Sequence, residues 1–227
     1  SPAVGQLGTK VTISGSSLFG AGTDIVSVTL NGVEAAIDSK DDDTVVVIAA
    51  SSDDAGTGDV VLTSDTESTV TSSGTWTYAD VGVVTAVEPA SGQHDTRVEI
   101  TGERLQGAGS EVVSVTLAGT EVQEIVSESD TAVRVVVADA DAGAGAIVLT
   151  ADTGAIVTGS PSWEYLEAGV ITEAKPSSGQ LGSEIEIIGE RMFGGGDEVA
   201  SVTLAGEQVT VTNESDTSIH VVAVDGS

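Results

Sequence analysis

The chain repeats itself about every 87 residues, and that period limits the fold more than any other feature. Pro2-Ala3-Val4-Gly5-Gln6 returns as Pro89-Ala90-Ser91-Gly92-Gln93 and again as Pro176-Ser177-Ser178-Gly179-Gln180. In the same register Gly15 becomes Gly102 and Gly189, and Ser27-Val28-Thr29-Leu30 becomes Ser114-Val115-Thr116-Leu117 and Ser201-Val202-Thr203-Leu204. Trp76 and Tyr78 become Trp163 and Tyr165. Such a period is too long for one coil of a solenoid and suits a small independent domain. It predicts repeats over residues 1–80, 81–167 and 168–227, with the first lacking an opening strand and the third its closing strands.

Comparison of the copies shows which side chains point inward. Val11 and Ile13 match Val98 and Ile100, then Ile185 and Ile187, while the residue between them is Thr12, Glu99 or Glu186. Apolar flanks around a variable polar centre are the mark of a half-buried strand. A later strand reads the same way: Val46 and Ile48 match Val133 and Val135, and Ile219 and Val221 after one deletion. On that register Val47, Arg134 and His220 face solvent. Val28 with Leu30, Val60 with Leu62, and Trp76 with Tyr78 supply further inward pairs. Asn31-Gly32 is a type I′ hairpin signal, of which Ala118-Gly119 and Ala205-Gly206 keep the glycine. About seven short strands per copy and no helical period predict an all-β fold of tandem immunoglobulin-like β-sandwich domains. The runs Val81-Gly82-Val83-Val84 and Ala168-Gly169-Val170-Ile171 follow Tyr78 and Tyr165 almost at once. Such short junctions favour a stiff rod.

Charge narrows the function classes. Asp and Glu number 36 against 7 Lys and Arg, a formal net charge of −29. That surface repels nucleic-acid phosphates and anionic headgroups, which excludes nucleic-acid partners. It suits salt-rich surroundings and keeps neighbouring copies apart. No stretch approaches the roughly 20 apolar residues of a membrane helix, so direct membrane insertion is not expected. There is no cysteine, which removes thiol nucleophiles and thiolate metal sites.

The run Pro2 to Gly15, Pro-x-x-Gly-Gln-x-Gly-Thr-x-Val-x-Ile-x-Gly, resembles the opening of IPT/TIG domains, immunoglobulin-like modules of plexins and some transcription factors. The apolar strand Val26 to Leu30 is similar to that family as well, and the resemblance extends over all three copies. His94-Asp95 replaces Leu7-Gly8 in the second copy, and the cysteines usual in receptor members are absent. The resemblance implies adhesion, receptor or spacer modules, or accessory domains beside glycan-acting enzymes. It also implies the DNA-binding members, against which the charge argues.

Candidate sites are few. His94 stands where other copies have Leu7 and Leu181, and His220 where they have Val47 and Arg134, so both read as surface variation. Gly20-Ala21-Gly22, Gly107-Ala108-Gly109 and Gly194-Gly195-Gly196 recur in one loop, each followed by an acid, and read as turns; a phosphate cradle would need a helix N-terminus. Asp41-Asp42-Asp43, Asp53-Asp54 and Asp139-Ala140-Asp141 read first as turn formers, with Asp54 and Asp141 as candidate calcium ligands. Asn213-Glu214-Ser215 is a glycosylation sequon, expected in a turn.

The expectation is therefore a non-catalytic extracellular or cell-surface structural and adhesive protein, a stiff acidic rod or filament subunit. Its partners would be further copies of itself or neighbouring repeats, either in a longer array or through strand exchange into a homopolymeric filament. A ligand-binding receptor or glycan-recognition array, and an accessory segment of a larger secreted enzyme, are the alternatives.

Overall fold

A computed structural model describes residues 1–225, and its described residues form strands, turns and loops without a helix. Repeat 1 contains β1 (Val4–Gly5), β2 (Lys10–Ser14), β3 (Ile25–Leu30), β4 (Val33–Glu34), β5 (Ala36–Lys40), β6 (Thr44–Ile48), β7 (Gly56–Ser64) and β8 (Thr69–Tyr78). Repeat 2 contains β9 (Val83–Glu88), β10 (Ser91–Gly92), β11 (Arg97–Glu103), β12 (Val112–Leu117), β13 (Thr120–Glu121), β14 (Glu124–Glu128), β15 (Ala132–Val136), β16 (Gly143–Ala151) and β17 (Ile156–Tyr165). Repeat 3 contains β18 (Val170–Lys175), β19 (Glu184–Glu190), β20 (Val202–Leu204), β21 (Glu207–Ser215) and β22 (Ser218–Val222).

Repeat 2 shows the full plan. One sheet runs β10-β17-β16-β12-β13 and the other β14-β15-β11-β9. Two strands are split between the sheets and change from one to the other midway, β9 into β10 and β13 into β14. At the second change the Val122 N–H donates to Val115 O and the next N–H, of Gln123, donates to Val136 O in the opposite sheet. Counting each split strand once gives the seven strands that the alternation predicts. β10 lies parallel to β17 (Ser91 opposite Glu164), as β1 does to β8 (Val4 opposite Thr77).

The hairpin signal holds in all three copies. Asn31, Ala118 and Ala205 take positive φ, and so do Gly32, Gly119 and Gly206, as a type I′ turn requires.

Three separate hydrophobic interiors follow. That of repeat 1 draws on residues from Val11 to Tyr78, that of repeat 2 from Val84 to Tyr165, and that of repeat 3 on Ile185, Ile187, Val209, Ile219 and Val221. With aromatics at only 3%, Val, Ile and Leu fill most of the space. The exception is a Trp–Tyr pair on each closing strand. Trp76 and Tyr78 meet edge to face at 5.5 Å, Trp163 and Tyr165 at 5.8 Å, and all four rings are buried. Dividing the apolar residues among three interiors leaves more surface than one interior would. The accessible area is 11748 Å², against roughly 9,500 Å² for a compact monomer of this mass.

The burial register of β6 differs from the sequence expectation. Val45 and Val47 are fully buried, whereas Val46 is half-buried and Ile48 is exposed. Val47 lies opposite Val11, as Val135 lies opposite Val98 and Val221 opposite Ile185. The counterpart of Arg134 and His220 is therefore Val46, not Val47. The cause is one extra residue in the second copy. Ala35, Val122 and Val209 are equivalent inward residues, but Ala36 and Thr210 pair directly with Ile48 and Val222, while Gln123 intervenes before Glu124 pairs with Val136. The outward position facing Thr12 is then Val46, whereas Arg134 bonds Glu99 there at 2.7 Å.

Candidate functional site

The most built feature outside the cores is the joint between repeats 1 and 2. It arises because the opening loop of repeat 1, Gly5 to Lys10, meets the β16–β17 turn of repeat 2. Two main-chain hydrogen bonds cross it: the Lys10 N–H donates to Thr153 O at 2.9 Å, and the Ile156 N–H donates to Leu7 O at 2.8 Å. Gln6 closes the joint from the side. Its Nε2 donates to Ile156 O at 2.8 Å, and its Oε1 accepts from the Gly82 N–H in the linker at 2.9 Å. The side chain is 2% exposed, and both ends of its amide are used. A buried amide costs stability unless it is paired, so these bonds fix the direction in which repeat 2 leaves repeat 1. Gln6 is itself held by its loop, in which the Gln6 N–H donates to Thr9 Oγ1 at 3.0 Å and Thr9 is fully buried.

Glycines make the approach close enough. Gly8 and Gly154 both have positive φ, and a Cβ placed on Gly8 would lie 2.6 Å from Gly154 O. Any side chain at either position pushes the two backbones apart. The linker is clamped from the other side by Arg104, whose Nε donates to Val81 O at 3.0 Å. Arg191 repeats this at the second junction, donating to Ala168 O at 3.1 Å. There Gln93, the counterpart of Gln6, donates through Nε2 to Glu167 O at 2.6 Å and is only half-buried.

The recurrent glycine loops have a related explanation. Asp65 Oδ1 accepts from the Thr23 N–H at 2.9 Å and Oδ2 from Thr23 Oγ1 at 2.7 Å; Asp152 Oδ1 accepts from the Ser110 N–H at 2.9 Å. Each carboxylate lies where a Cβ on Gly22 or Gly109 would stand, so the glycines admit an Asp cap to the loop. The Thr23 hydroxyl, then its N–H, holds the Asp65 carboxyl below its ordinary 3.8, and the Ser110 N–H does the same for Asp152. A carboxylate depressed in this way contributes its stabilisation above the ordinary value and loses it as pH falls through the depressed one. Carboxyl ¹³C titration should therefore show Asp65 and Asp152 protonating below 3.8, with the Thr23 and Ser110 amide resonances moving in step. Ordinary midpoints would show that the caps do not form.

The other sequence candidates are scattered. Asp54 and Asp141 occupy exposed positions in equivalent loops of different repeats. Among the described residues no group of three or more His, Cys, Asp or Glu is placed to hold a metal ion. His94 is exposed beside Asp95, and His220, on another repeat, is half-buried beside Glu186. Asn213 is exposed but lies within β21 opposite His220, beside an irregularity in the pairing, and not in the expected turn. The alternation that builds β21 runs through the sequon. Phe19, in the glycine loop, packs on the repeat 1 core. Missed from the sequence were the roles of Gln6, Gly8, Gly154, Asp65 and Asp152. The last two stand 87 residues apart, and that identity was a usable signal.

Two-sheet sandwiches in series with direct joints define tandem immunoglobulin-like modules. The chain belongs to the IPT/TIG domain family, whose model matches residues 1–78 and 83–165. Similar solved structures include the plexin A4 extracellular region, domains 1 to 10, with 17% identity, TM-score 0.48, and coverage of 99% of this chain and 20% of that one. SGBP-B of a Bacteroides ovatus mixed-linkage glucan utilization locus, in complex with a heptasaccharide, shows 17% identity, TM-score 0.32, and coverage of 99% and 57%. A surface glycan-binding protein of Prevotella bryantii shows 13% identity, TM-score 0.33, and coverage of 75% and 39%. The chain thus spans less than two thirds of each of these structures. Comparison with curated proteins finds no match.

Proposed function

We infer that this chain is a non-catalytic spacer of an extracellular or cell-surface structure, with acidic domains in series that hold their neighbours at a set distance and direction. The joint between repeats 1 and 2 carries this reading. A buried glutamine amide and two crossing main-chain bonds resist bending in a way a free linker does not. The acid excess supports it further, because a surface of net charge −29 keeps parallel rods from sticking. A receptor or glycan-recognition array would present several aromatic side chains in exposed loops, whereas Phe19 lies against a core, the tryptophans are buried and Phe193 is a single half-buried ring. The partners on this reading are further repeats set end to end. Electron microscopy of the native material, with antibody against this segment, should show labelled elongated structures outside the cell. Label confined to compact particles inside the cell would overturn the reading.

A further inference from the structure

Repeat 2 closes three of its four sheet edges by simple means, and the fourth by a device that recurs in its sister repeats. Edge strands display unpaired N–H and C=O groups and invite a like strand from another chain. β10 and β13, the edges of the larger sheet, are two residues long and offer little to pair with. β9, at one edge of the other sheet, lies against β17: a Cβ on Gly159 would stand 3.2 Å from Val84 Cβ. β14 is the long edge left open. It carries Val126 at 47% exposure, an apolar side chain on an uncovered strand.

Two features of β14 work against pairing. The first is a bulge. Ile125 lies opposite Val135 and Ser127 opposite Arg134, so Val126 is one residue in excess of the partner strand. An extra residue bends the strand, tightens its twist and breaks the even spacing of the outward N–H and C=O groups. The second is a charge turned inward. Glu128 Oε2 accepts from the Val112 N–H at 3.2 Å and from Gln106 Nε2 at 3.0 Å. It thus reaches from β14 across the rim of the sandwich to the start of β12 in the opposite sheet. Both features recur. β5 has Asp38 in excess between Ile37 and Ser39, and β21, past its pairing with β20, has Thr212 in excess between Val211 and Asn213. The inward position holds Lys40, which donates to Ile25 O at 2.6 Å, and Glu214, whose Oε2 accepts from the Val199 N–H at 3.0 Å. Asp, Val and Thr share no side-chain chemistry, so what the repeats keep is the extra residue itself. The sign of the inward charge changes, and its placement does not.

We propose that the bulge and the inward charge of β5, β14 and β21 guard these edges against strand addition by a second copy of the chain. The acid excess does not do this alone, because at 1 M salt the screening length falls to about 3 Å. A kinked edge is a matter of shape and works at any ionic strength. The inference adds to the spacer reading and does not depend on it.

The absence of cysteine lets a single nitroxide be placed without background. A label at Ser127→Cys, exposed on β14, reports pairing at the edge, and one at Ser162→Cys, exposed on β17, reports association elsewhere. In the otherwise native chain the Ser127→Cys spectrum should be the same at 0.01 and 1 M NaCl. Deletion of Val126 leaves the pairs on either side in register. In that variant the Ser127→Cys linewidth should roughly double at 1 M NaCl through spins on a second chain, narrow again on dilution with unlabelled chain, and leave Ser162→Cys unbroadened. Deletion of Asp38, read at Ser39→Cys, should do the same in repeat 1. Near-ultraviolet circular dichroism from Trp76 and Trp163 reports whether each interior is intact. Narrow lines at 1 M NaCl in the folded deletion variants would overturn the proposal, and so would broadening at Ser127→Cys in the otherwise native chain. Loss of the near-ultraviolet signal in both deletions would show that the bulges serve folding and not edge protection, and the proposal would fall. None of these outcomes touches the spacer reading, which rests on the joint.

Discussion

Trp163→Ala should unfold repeat 2 and leave repeat 1 folded. Trp163 is fully buried and packs against Tyr165 at the centre of its own interior. Truncation of a buried Trp costs about 3–5 kcal/mol. A sandwich of this size holds a margin of about the same magnitude, so the loss takes most or all of it. The interiors are separate, and Trp76 belongs to the other one. In the variant Trp76 becomes the sole tryptophan and a clean reporter. Its emission should remain that of a buried indole while the far-ultraviolet strand signal falls. Loss of the joint bonds from Gln6 should lower the midpoint of repeat 1 by a few degrees, because a net hydrogen bond is worth about 1 kcal/mol and about 1 kcal/mol moves a small domain by about 4–8 °C. Exposure of Trp76 in step with repeat 2 would mean that the repeats fold as one unit.

Salt should stabilise the native chain strongly. Lys10, Lys40, Arg104, Arg134, Lys175 and Arg191 each sit against at least one carboxylate, which uses most of the 7 cations and leaves most of the 36 acids without one. Two like charges about 20 Å apart in water repel by about 0.2 kcal/mol. With about ten net charges per repeat, dozens of such pairs add to several kcal/mol that folding concentrates. Raising salt from 0.01 to 1 M shortens the screening length from about 30 to about 3 Å. Thermal midpoints followed by circular dichroism should rise by roughly 10 °C over that range, equivalent to about 2 kcal/mol. Sucrose at matched osmolality should reproduce little of the rise. A flat or falling midpoint would show that the acids are not under mutual repulsion.

The fold was legible where the residue pattern alternates cleanly. Val11-Thr12-Ile13 and its two counterparts keep Val or Ile on either side of a changing outward residue, and five of those six flanking side chains are buried. Val45-Val46-Val47-Ile48 gave no such contrast, since all four are apolar and either register looks inward. The extra Gln123 then shifted the second copy by one residue, and a shift of one in a strand exchanges its two faces. The joint was less legible for a different reason. Gln6 bonds a carbonyl 150 residues away, and the turn that meets it, Gly154-Ala155-Ile156, carries no mark of a contact surface. Only the departure of His94-Asp95 from Leu7-Gly8 marked this loop as a place where the copies differ. The Asx caps could have been found, because Asp65 and Asp152 keep the repeat period opposite the glycine loops.

Small-angle X-ray scattering of the intact chain bears most directly on three interiors held in series. One compact body of 227 residues would have a radius of gyration of about 17 Å. Three bodies spaced by the length of a ten-residue strand, about 33 Å, give roughly 30 Å, with a pair-distance distribution skewed to long distances. A value near 17 Å with a symmetric distribution would mean that the repeats fold back on one another, and the spacer account would be wrong.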